Sequence, residues 1–172
     1  CIIILMETQS KKLVLISGSG RGLGSSIAKS FAENNFKVAI NYSKSKESAE
    51  RLKDSLNADA EIFKADITKK NDVSNMIDRI ESKFGINPSI LVNNAMHDYV
   101  FNGDQRKLAD EITWEEIMNH LNVTLKGSLN LIHALLPSMK KNNYGRIINI
   151  GTNLFQNPVV PYHDYTIAKA AL

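Results

Sequence analysis

The feature that most constrains the fold is a glycine-rich turn between an apolar run and a segment with helical periodicity. The apolar run covers residues 13–17, and residues 22–34 carry apolar side chains at helical spacing. Four glycines follow the apolar run and reach into the start of the helical segment: Gly18, Gly20, Gly22 and Gly24. Glycine permits a tight turn and close approach to a pyrophosphate, and a helix N-terminus offers free N–H groups and partial positive charge. The turn therefore predicts a phosphate-binding site, with a turn that binds no ligand as the alternative.

Strands and helices are predicted to alternate along the rest of the chain. Short apolar runs predict strands at residues 13–17, 37–42, 61–64, 90–93 and 146–150. Helical spacing predicts helices at residues 22–34, 47–56, 72–84, 113–139 and from 162 onward. Thr113, with Glu116 three residues later, has the pattern of a capping box. Continuously apolar strands between helices favour an α/β fold, with a parallel sheet covered on both faces.

Tyr165 and Lys169 lie four residues apart in the last predicted helix, on one helix face. A free tyrosine has a pKa of about 10, so it exchanges protons poorly at neutral pH unless its phenolate is stabilised. We expect the ammonium of Lys169, with the positive ring of an oxidised nicotinamide, to favour that phenolate. Alone, the pair would indicate only a surface contact. With the glycine turn upstream it predicts a nicotinamide-dependent carbonyl reductase.

The residues after the second predicted strand bear on which nicotinamide cofactor is used. An NAD site places an acidic side chain there to bind the ribose 2′-hydroxyl, and this chain has none. Arg21 in the glycine turn, with Ser43 and Lys44, could hold a 2′-phosphate instead. A charge-assisted hydrogen bond contributes about 1.5–3 kcal/mol, which predicts a preference of about 10–100-fold for NADP(H). Surface charges near a loop are the alternative.

Two further strand ends carry candidate cofactor residues. Asp66 and Ile67 follow the third strand, where side chains can contact adenine, although Asp66 is equally suited to a turn. Asn93 and Asn94 follow the fourth strand, and asparagine side chains there can tie neighbouring loops through backbone hydrogen bonds. Ala95 would leave room for the cofactor, and an ordinary turn is the alternative.

The fourth predicted helix and the fifth strand supply two more candidates. Asn122 lies mid-helix, where asparagine is disfavoured, which predicts a local bend and a bound water that links Lys169 to solvent. An exposed helical asparagine is the alternative. Thr152 follows the fifth strand and could donate to a substrate oxygen beside Tyr165. A helical stripe is predicted to be core or a subunit interface, namely Met118, Leu121, Leu125, Leu129 and Ile132.

Composition disfavours several other functions. The 172 residues carry a net charge of only +3, with bases and acids interleaved, and the basic cluster at 140–146 suits a solvated turn better than a nucleic-acid patch. The apolar start is too short to span a membrane, and one cysteine allows no internal disulfide. The histidines show no metal-ligand spacing, although His163 could touch substrate. We expect a cytoplasmic protein that binds no nucleic acid, membrane or metal.

The two ends of the chain carry separate expectations. Residues 1–10 are expected to be an extension outside the native domain, with Met6 as the true start. Residues 11–172 are expected to form a partial NADP-binding domain that stops inside its last helix. Such a fragment is predicted to be unstable or inactive alone.

Several motifs together resemble the classical short-chain dehydrogenase/reductases. They are Ser17 to Gly24, Asn93-Asn94-Ala95, Asn122-Val-Thr, residues 145–150 and Tyr165-x3-Lys169, in the family's order and spacing. Among its branches, the 3-oxoacyl-[acyl-carrier-protein] reductases of fatty acid biosynthesis are the most similar. The resemblance implies a Rossmann-type doubly wound sheet, incomplete here at its C-terminus, NADP(H), and hydride transfer to a carbonyl compound. It also implies a homotetramer or homodimer at full length.

The resemblance assigns roles to individual residues. Asn122, Tyr165 and Lys169 match three members of the family's catalytic tetrad, and Lys169 would also hold the nicotinamide ribose. Leu23 would lie against the cofactor with the glycines around it. Thr152 stands where the family has serine, Met96 stands where it usually has glycine, and residues 96–112 form a longer stretch than in the acyl-carrier-protein reductases. These departures leave the substrate open.

Two other functions stay in view. A non-catalytic NADP-binding sensor or scaffold would not need Tyr165, Lys169 and Asn122, although Thr152 and Met96 mildly favour it. A sugar-nucleotide epimerase could use the same tyrosine and lysine, but the glycine spacing favours the classical reductase form.

Overall fold

The computed structural model describes residues 12–97, 107–154, 156–157 and 162–172. The expected N-terminal extension lies outside these ranges, as do residues 98–106 of the long irregular stretch. Within them, parallel strands form one sheet: β1 Leu13–Ile16, β2 Lys37–Tyr42, β3 Ala60–Lys64, β4 Ile90–Asn93 and β5 Arg146–Asn149. Their order across the sheet is β3-β2-β1-β4-β5. The chain therefore winds outward from β1 in one direction, returns, and winds outward from β4 in the other, which confirms the doubly wound α/β fold.

Helices cover both faces of the sheet. They are α1 Gly22–Glu33, α2 Lys46–Ser55, α3 Lys70–Phe84, α4 Trp114–Leu121, α5 Ser128–Lys141 and α6 His163–Ala171. Successive strand residues point to opposite faces, so Val14 and Ile16 pack with α1 and α2 while Leu13 and Leu15 pack with α3 and α5. The two hydrophobic clusters give the three predicted layers. In the described ranges no helix is long and apolar enough to cross a lipid bilayer.

The predicted single helix at residues 113–139 is wrong in one respect. It begins as expected, because Thr113 and Glu116 form the capping box, with Thr113 Oγ1 accepting from the Glu116 backbone N–H at 3.3 Å. It is then interrupted by a π-helical segment, Asn122–Gly127, which separates α4 from α5. This segment adds a residue to the turn and rotates the face that follows it.

The burial along α4, the π segment and α5 also corrects the predicted apolar stripe. Leu125 and Leu129 are 38% and 47% exposed, so they are not core. The buried face of the same stretch carries small and polar residues before its leucines: Thr124, Gly127, Ser128, Asn130, Leu131 and Leu135. The interface alternative for the stripe stays a prediction.

Strand β5 is the least buried strand among the described residues. Each of its four residues is exposed, and Ile147 and Ile148 are 39% and 41% exposed. Ile147 pairs in register with Leu91 of β4, which has no exposed surface. The sheet is therefore well covered around β1 and β4, and much less so at β5.

This difference predicts unequal costs of truncation at two paired positions. Leu91→Ala should destabilise the protein by about 2–5 kcal/mol, because it leaves a cavity between packed layers. Ile147→Ala should cost no more than about 1 kcal/mol, since its side chain is already half solvated. Urea unfolding of both variants measures the two values. Equal costs would contradict the burial described here.

Candidate active site

The glycine turn is held between the ends of β1, β2 and β4. The Ser17 hydroxyl donates to the Val92 carbonyl at 3.3 Å and accepts from the backbone N–H groups of Asn94 and Ala95, both at 3.0 Å. Asn94 Nδ2 donates to the carbonyls of Ser17 and Gly18 at 2.9 and 3.1 Å. These bonds join β1 to β4 at the point where the winding direction reverses. In open α/β sheets that crevice, at the carboxyl ends of the strands, is where ligands bind.

Asn41 holds the other side of the turn, and sequence reasoning did not single it out. Its side chain is almost fully buried at the end of β2. Its Oδ1 accepts from the Gly18 N–H at 3.2 Å, and its Nδ2 donates to the carbonyls of Phe63 and Ala65 at 3.3 Å. The available signal was a polar residue inside an apolar strand, since a buried amide must find hydrogen-bond partners.

The glycines of the turn serve different purposes. A Cβ on Gly18 would lie 2.9 Å from the Ala95 Cα, and the residue has a φ of +62°. A Cβ on Gly24 would lie 2.8 Å from both the Gly18 carbonyl oxygen and the Ser19 Cα. These two glycines allow backbone to pack on backbone. Gly22, by contrast, has a φ of +58°, and no described residue places an atom within 4 Å of where its Cβ would lie, so a ligand can enter there.

Helix α1 begins at this open space. Arg21 is its N-cap residue, and no side chain among the described residues caps the helix. The first N–H groups are therefore oriented toward the crevice, where an anion can accept from them. The open Gly22 and the uncapped helix end fit a pyrophosphate group. Leu23 projects from the first turn of α1 and is 58% exposed beside them.

Residues after β2 and β3 complete the same edge. Ser43 and Lys44 are exposed, as is Arg21. Asp66 behaves as a turn residue, because its Oδ1 accepts from the N–H and hydroxyl of Thr68 at 3.0 and 2.8 Å. Burial acts to raise the pKa of Asp66, but the hydrogen bonds from Thr68 and the nearby Lys69 ammonium outweigh it and leave that pKa below its usual value.

Ile67 is buried, so the edge that it offers to a ligand is largely backbone. Its carbonyl accepts from Asn130 Nδ2 at 2.9 Å. Its side chain lies against Gly127, where a Cβ would meet the Ile67 Cδ1 at 2.6 Å. The end of β3 is thereby attached to the junction of the π segment and α5.

Asn93 links the last two strands of the described sheet, β4 and β5. Its Nδ2 donates to Asn149 Oδ1 at 2.8 Å, across from β4 to β5. Its Oδ1 is buried and has no hydrogen-bond partner among the described residues. A buried carbonyl oxygen without a donor costs free energy, so a ligand N–H or hydroxyl in the crevice would satisfy it. Asn94 ties the neighbouring glycine turn through backbone carbonyls as the sequence predicted, whereas Asn93 bonds a side chain of the next strand, and its unsatisfied oxygen fits a ligand.

Lys169 lies at the carboxyl end of β5. Its side chain is buried, with only 5% of the residue exposed, and its ammonium donates to the Ile150 carbonyl at 2.5 Å. Burial lowers the pKa of Lys169 below its usual 10.5. Ile150 is itself fixed, because its N–H donates to the Asn93 carbonyl at 3.0 Å. The Lys169 side chain, to which the sequence assigned a role in proton transfer, therefore lies at the carboxyl ends of the strands, in a largely desolvated place.

Tyr165, Asn122 and Thr152 surround this position. Tyr165 lies one turn before Lys169 in α6 and is half-buried. Helix α6 packs on α4 and on the π segment, which begins at Asn122, so the helix departs from α geometry there, while the predicted bend and bound water stay predictions. Thr152 follows β5 and is half-buried, and its hydroxyl accepts from the Leu154 N–H at 3.3 Å. A π-helical turn inside an α-helix is frequent at functional sites, because it leaves backbone groups open to new partners.

A single edge of the sheet therefore carries an anion-binding turn at one end and a buried ammonium with a tyrosine at the other. Such an edge can hold an elongated phosphate-containing ligand and move a proton at its far end. Among the described residues no group of three His, Cys, Asp or Glu side chains is placed to hold a metal ion.

Comparisons with known proteins agree with this geometry. The sequence profile described as short chain dehydrogenase matches residues 12–172. The 3-oxoacyl-[acyl-carrier-protein] reductase FabG of Staphylococcus aureus is 33% identical over 144 residues, which cover 82% of this chain and 56% of the relative. A short-chain type dehydrogenase/reductase of Picea abies is 30% identical over 171 residues, which cover 94% of this chain and 61% of the relative. The chain thus spans somewhat over half the length of the curated relatives it matches.

A solved structure shows the same architecture. The 3-ketoacyl-(acyl-carrier-protein) reductase of Brucella melitensis, whose crystal structure is complexed with NADH, superposes with a TM-score of 0.83 at 30% identity. The match covers 94% of this chain and 66% of that chain.

The glycine geometry predicts a matched pair of stability effects. Gly24→Ala should destabilise the protein by about 1–3 kcal/mol, because its new methyl group would overlap backbone atoms that cannot move independently. Gly20→Ala should change stability by less than about 1 kcal/mol, since its Cβ would meet no atom closer than 3.5 Å. Thermal unfolding without added nucleotide compares them. If both variants lose the same stability, the assignment of Gly24 to backbone packing is wrong.

Proposed function

The chain belongs to the short-chain dehydrogenase family, and we propose that it transfers hydride between the nicotinamide of NADP(H) and a ketone or secondary alcohol. The observation that carries the proposal is Lys169, a buried ammonium held on the Ile150 carbonyl one helical turn from Tyr165. Burying a lysine costs free energy, and a surface pair would not require it. A site that must stabilise negative charge on a phenol oxygen does require it.

The cofactor would be held along the whole crevice. Residues from four strand ends, α1 and α6 would contact it: Gly18, Gly20, Arg21, Gly22, Leu23, Gly24, Ser43, Lys44, Asp66, Ile67, Asn93, Ala95, Tyr165 and Lys169. The uncapped N-terminus of α1 would bind the pyrophosphate, and the unsatisfied Asn93 Oδ1 would accept a hydrogen bond. Bound there, the nicotinamide supplies or accepts the hydride.

The protein's own residues would then handle the proton. As hydride reaches the carbonyl carbon, Tyr165 would donate its hydroxyl proton to the carbonyl oxygen, and the alcohol forms. The Lys169 ammonium would stabilise the phenolate left behind and hold the ribose. Thr152 would donate a hydrogen bond that orients the carbonyl. Asn122, at the start of the π segment, would hold a water that returns the proton from solvent through Lys169.

The preference for NADP(H) rests on charge at the first two strand ends. Arg21 and Lys44 are exposed cations beside Ser43, and no acidic residue lies at the end of β2 to bind a free 2′-hydroxyl. The NADH in the Brucella reductase belongs to that protein. We assign the 2′-phosphate to these three residues in this chain.

The substrate is proposed as a small carbonyl compound, of which a 3-oxoacyl thioester linked to acyl carrier protein is one candidate. The FabG relatives motivate that choice. Thr152 in place of serine adds a methyl group that stiffens χ1, and Met96 adds bulk after β4, so the fit of the acyl chain should differ. We further propose that residues 11–172 form the NADP-binding domain of a cytoplasmic homotetramer or homodimer.

Removing two cations should reveal the cofactor preference. In the protein as the cell produces it, Arg21→Ala with Lys44→Ala should weaken NADPH binding about 10–100-fold and leave NADH binding within about 3-fold. Lys29→Ala, an exposed lysine in the middle of α1, is the control. Fluorescence titration with both nucleotides measures the change. Wild-type protein that binds NADH as tightly as NADPH would refute the assignment.

Removing one hydroxyl should reveal the proton donor. Tyr165→Phe should lower kcat for NADPH-dependent reduction of acetoacetyl thioesters or small ketones about 10²–10⁴-fold, with NADPH affinity little changed. Tyr144→Phe makes the same chemical change outside the crevice and should keep wild-type turnover. The measurement is NADPH oxidation at saturating ketone.

Two other results would change the conclusion. Full turnover by Tyr165→Phe would remove Tyr165 from the mechanism. Tight NADPH binding by the wild type, with no turnover on any ketone, would favour a nucleotide sensor or scaffold instead of an enzyme.

A further inference from the structure

Three titratable side chains from three elements meet beside Tyr165, and none of them belongs to the proposed catalytic or cofactor set. His97 follows β4, His120 lies in the last turn of α4, and Asp164 lies in the first turn of α6. The His97 and His120 rings meet edge to face with their centroids 5.2 Å apart. The His120 Nε2 lies 3.5 Å from the Asp164 carboxylate.

Asp164 connects this cluster directly to Tyr165. One carboxylate oxygen accepts from the Tyr165 backbone N–H at 2.8 Å, and the other faces His120. A carboxylate in the first turn of a helix is favoured by the helix dipole, so Asp164 is well placed to define where α6 begins. Any force that turns this carboxylate also acts on the backbone of Tyr165.

His120 is the group that faces the carboxylate from the neighbouring helix. The residue is 3% exposed, in the contact between α4 and α6. An imidazole buried there loses hydration that a hydrogen bond to a carboxylate partly restores. An apolar side chain would fill the same space but could not orient Asp164.

We propose that His120 is a positioning residue for Tyr165. His120 would orient the Asp164 carboxylate, and this carboxylate sets the start of α6 and thereby the place of the Tyr165 hydroxyl. This inference rests on the proposed function, because only a reaction in which Tyr165 moves a proton responds to small displacements of its oxygen. Misplacement of a reacting group by about 1 Å can cost about 100-fold in rate.

The surrounding charges indicate which protonation state of His120 orients the Asp164 carboxylate. Burial lowers its pKa below the usual 6.5; the Asp164 carboxylate opposes that change, His97 adds to it, and Glu116 of α4 opposes it. Glu116 is in turn paired with Lys107, whose ammonium also acts on Asp164. At neutral pH the imidazole is therefore neutral, and its Nε2 faces the Asp164 carboxylate at 3.5 Å.

Acid should disturb the arrangement. Because the folded-state pKa of His120 is depressed, the unfolded chain binds more protons than the folded chain between that pKa and 6.5. The stability that the neutral ring contributes is fully present above 6.5. It falls as pH drops through the folded-state pKa.

The test compares His120→Gln with His120→Leu in the protein as the cell produces it. Glutamine places an amide N–H near the position of Nε2, whereas leucine offers none. His120→Leu should lower kcat for ketone reduction about 10–100-fold, with NADPH affinity within about 3-fold of wild type. His120→Gln should restore kcat to within about 5-fold. His133→Leu, on the exposed face of α5, should leave kcat unchanged.

The pH profile separates a positioning role from a merely structural one. In the direction of ketone reduction Tyr165 acts as an acid, so its own titration does not reduce the rate at low pH. Wild-type kcat should nonetheless fall as the pH drops below 6.5, and His120→Gln should not show that fall. If His120→Leu fails to fold, the profile of His120→Gln alone decides.

The failures are distinguishable. If His120→Leu keeps the wild-type kcat and pH profile, or if His120→Gln is no better than His120→Leu, the positioning role is wrong. If Tyr165→Phe turns over normally in the same assay, the proposed function is wrong and the role of His120 falls with it. Loss of turnover in Tyr165→Phe with no effect of His120→Leu overturns the inference about His120 alone.

Discussion

The hydrogen bonds of the Ser17 hydroxyl are the interaction on which the rest of the site depends. One oxygen donates to β4 and accepts two N–H groups from the segment after it, so it uses its full capacity. β1 and β4 are the strands at which the sheet reverses its winding, and their ends are also joined by the bond from the Ser17 N–H to the Val92 carbonyl at 3.0 Å. With Asn94 bonded back to the glycine turn, the crevice keeps one shape. The glycines matter because this clamp brings backbone onto backbone.

A second set of contacts attaches the part of the site around Lys169 to the joined ends of β1 and β4. Asn93 joins β4 to β5 through Asn149, and Ile67 joins the end of β3 to α5 through Asn130. In both cases an asparagine side-chain amide, that of Asn93 or of Asn130, makes a bond across strands or layers. The π segment lies between these two bonds. The glycine turn and Lys169 are therefore parts of one packed unit, even though β5 itself is the least covered strand described.

Much of this could be predicted from the sequence, because period and spacing are local properties. The strands and the capping box at Thr113 followed from short patterns, Asn122 was singled out as an unusual helical residue, and the family resemblance implied the doubly wound class. Leu125 and Leu129 are exposed because the buried face of that stretch carries small and polar residues, which a search for apolar periodicity overlooks. Asn41 and His120 were missed because their partners lie on other elements, 24 and 44 residues away for the longest contacts shown. The roles of Arg21, Ser43 and Lys44 stay predictions, because the binding role of exposed polar and charged side chains is seen only when a ligand is present.

The ammonium of Lys169 is held by a main-chain carbonyl, not by a side chain. No substitution at position 150 can delete that acceptor, because every amino acid brings the same oxygen to the end of β5. The hydrogen bond from Lys169 is therefore kept under any substitution at position 150, provided that the strand keeps its path. The identity of residue 150 does not reveal this bond. A protein engineer who considered only side-chain contacts would therefore conclude that the Lys169 ammonium has no partner.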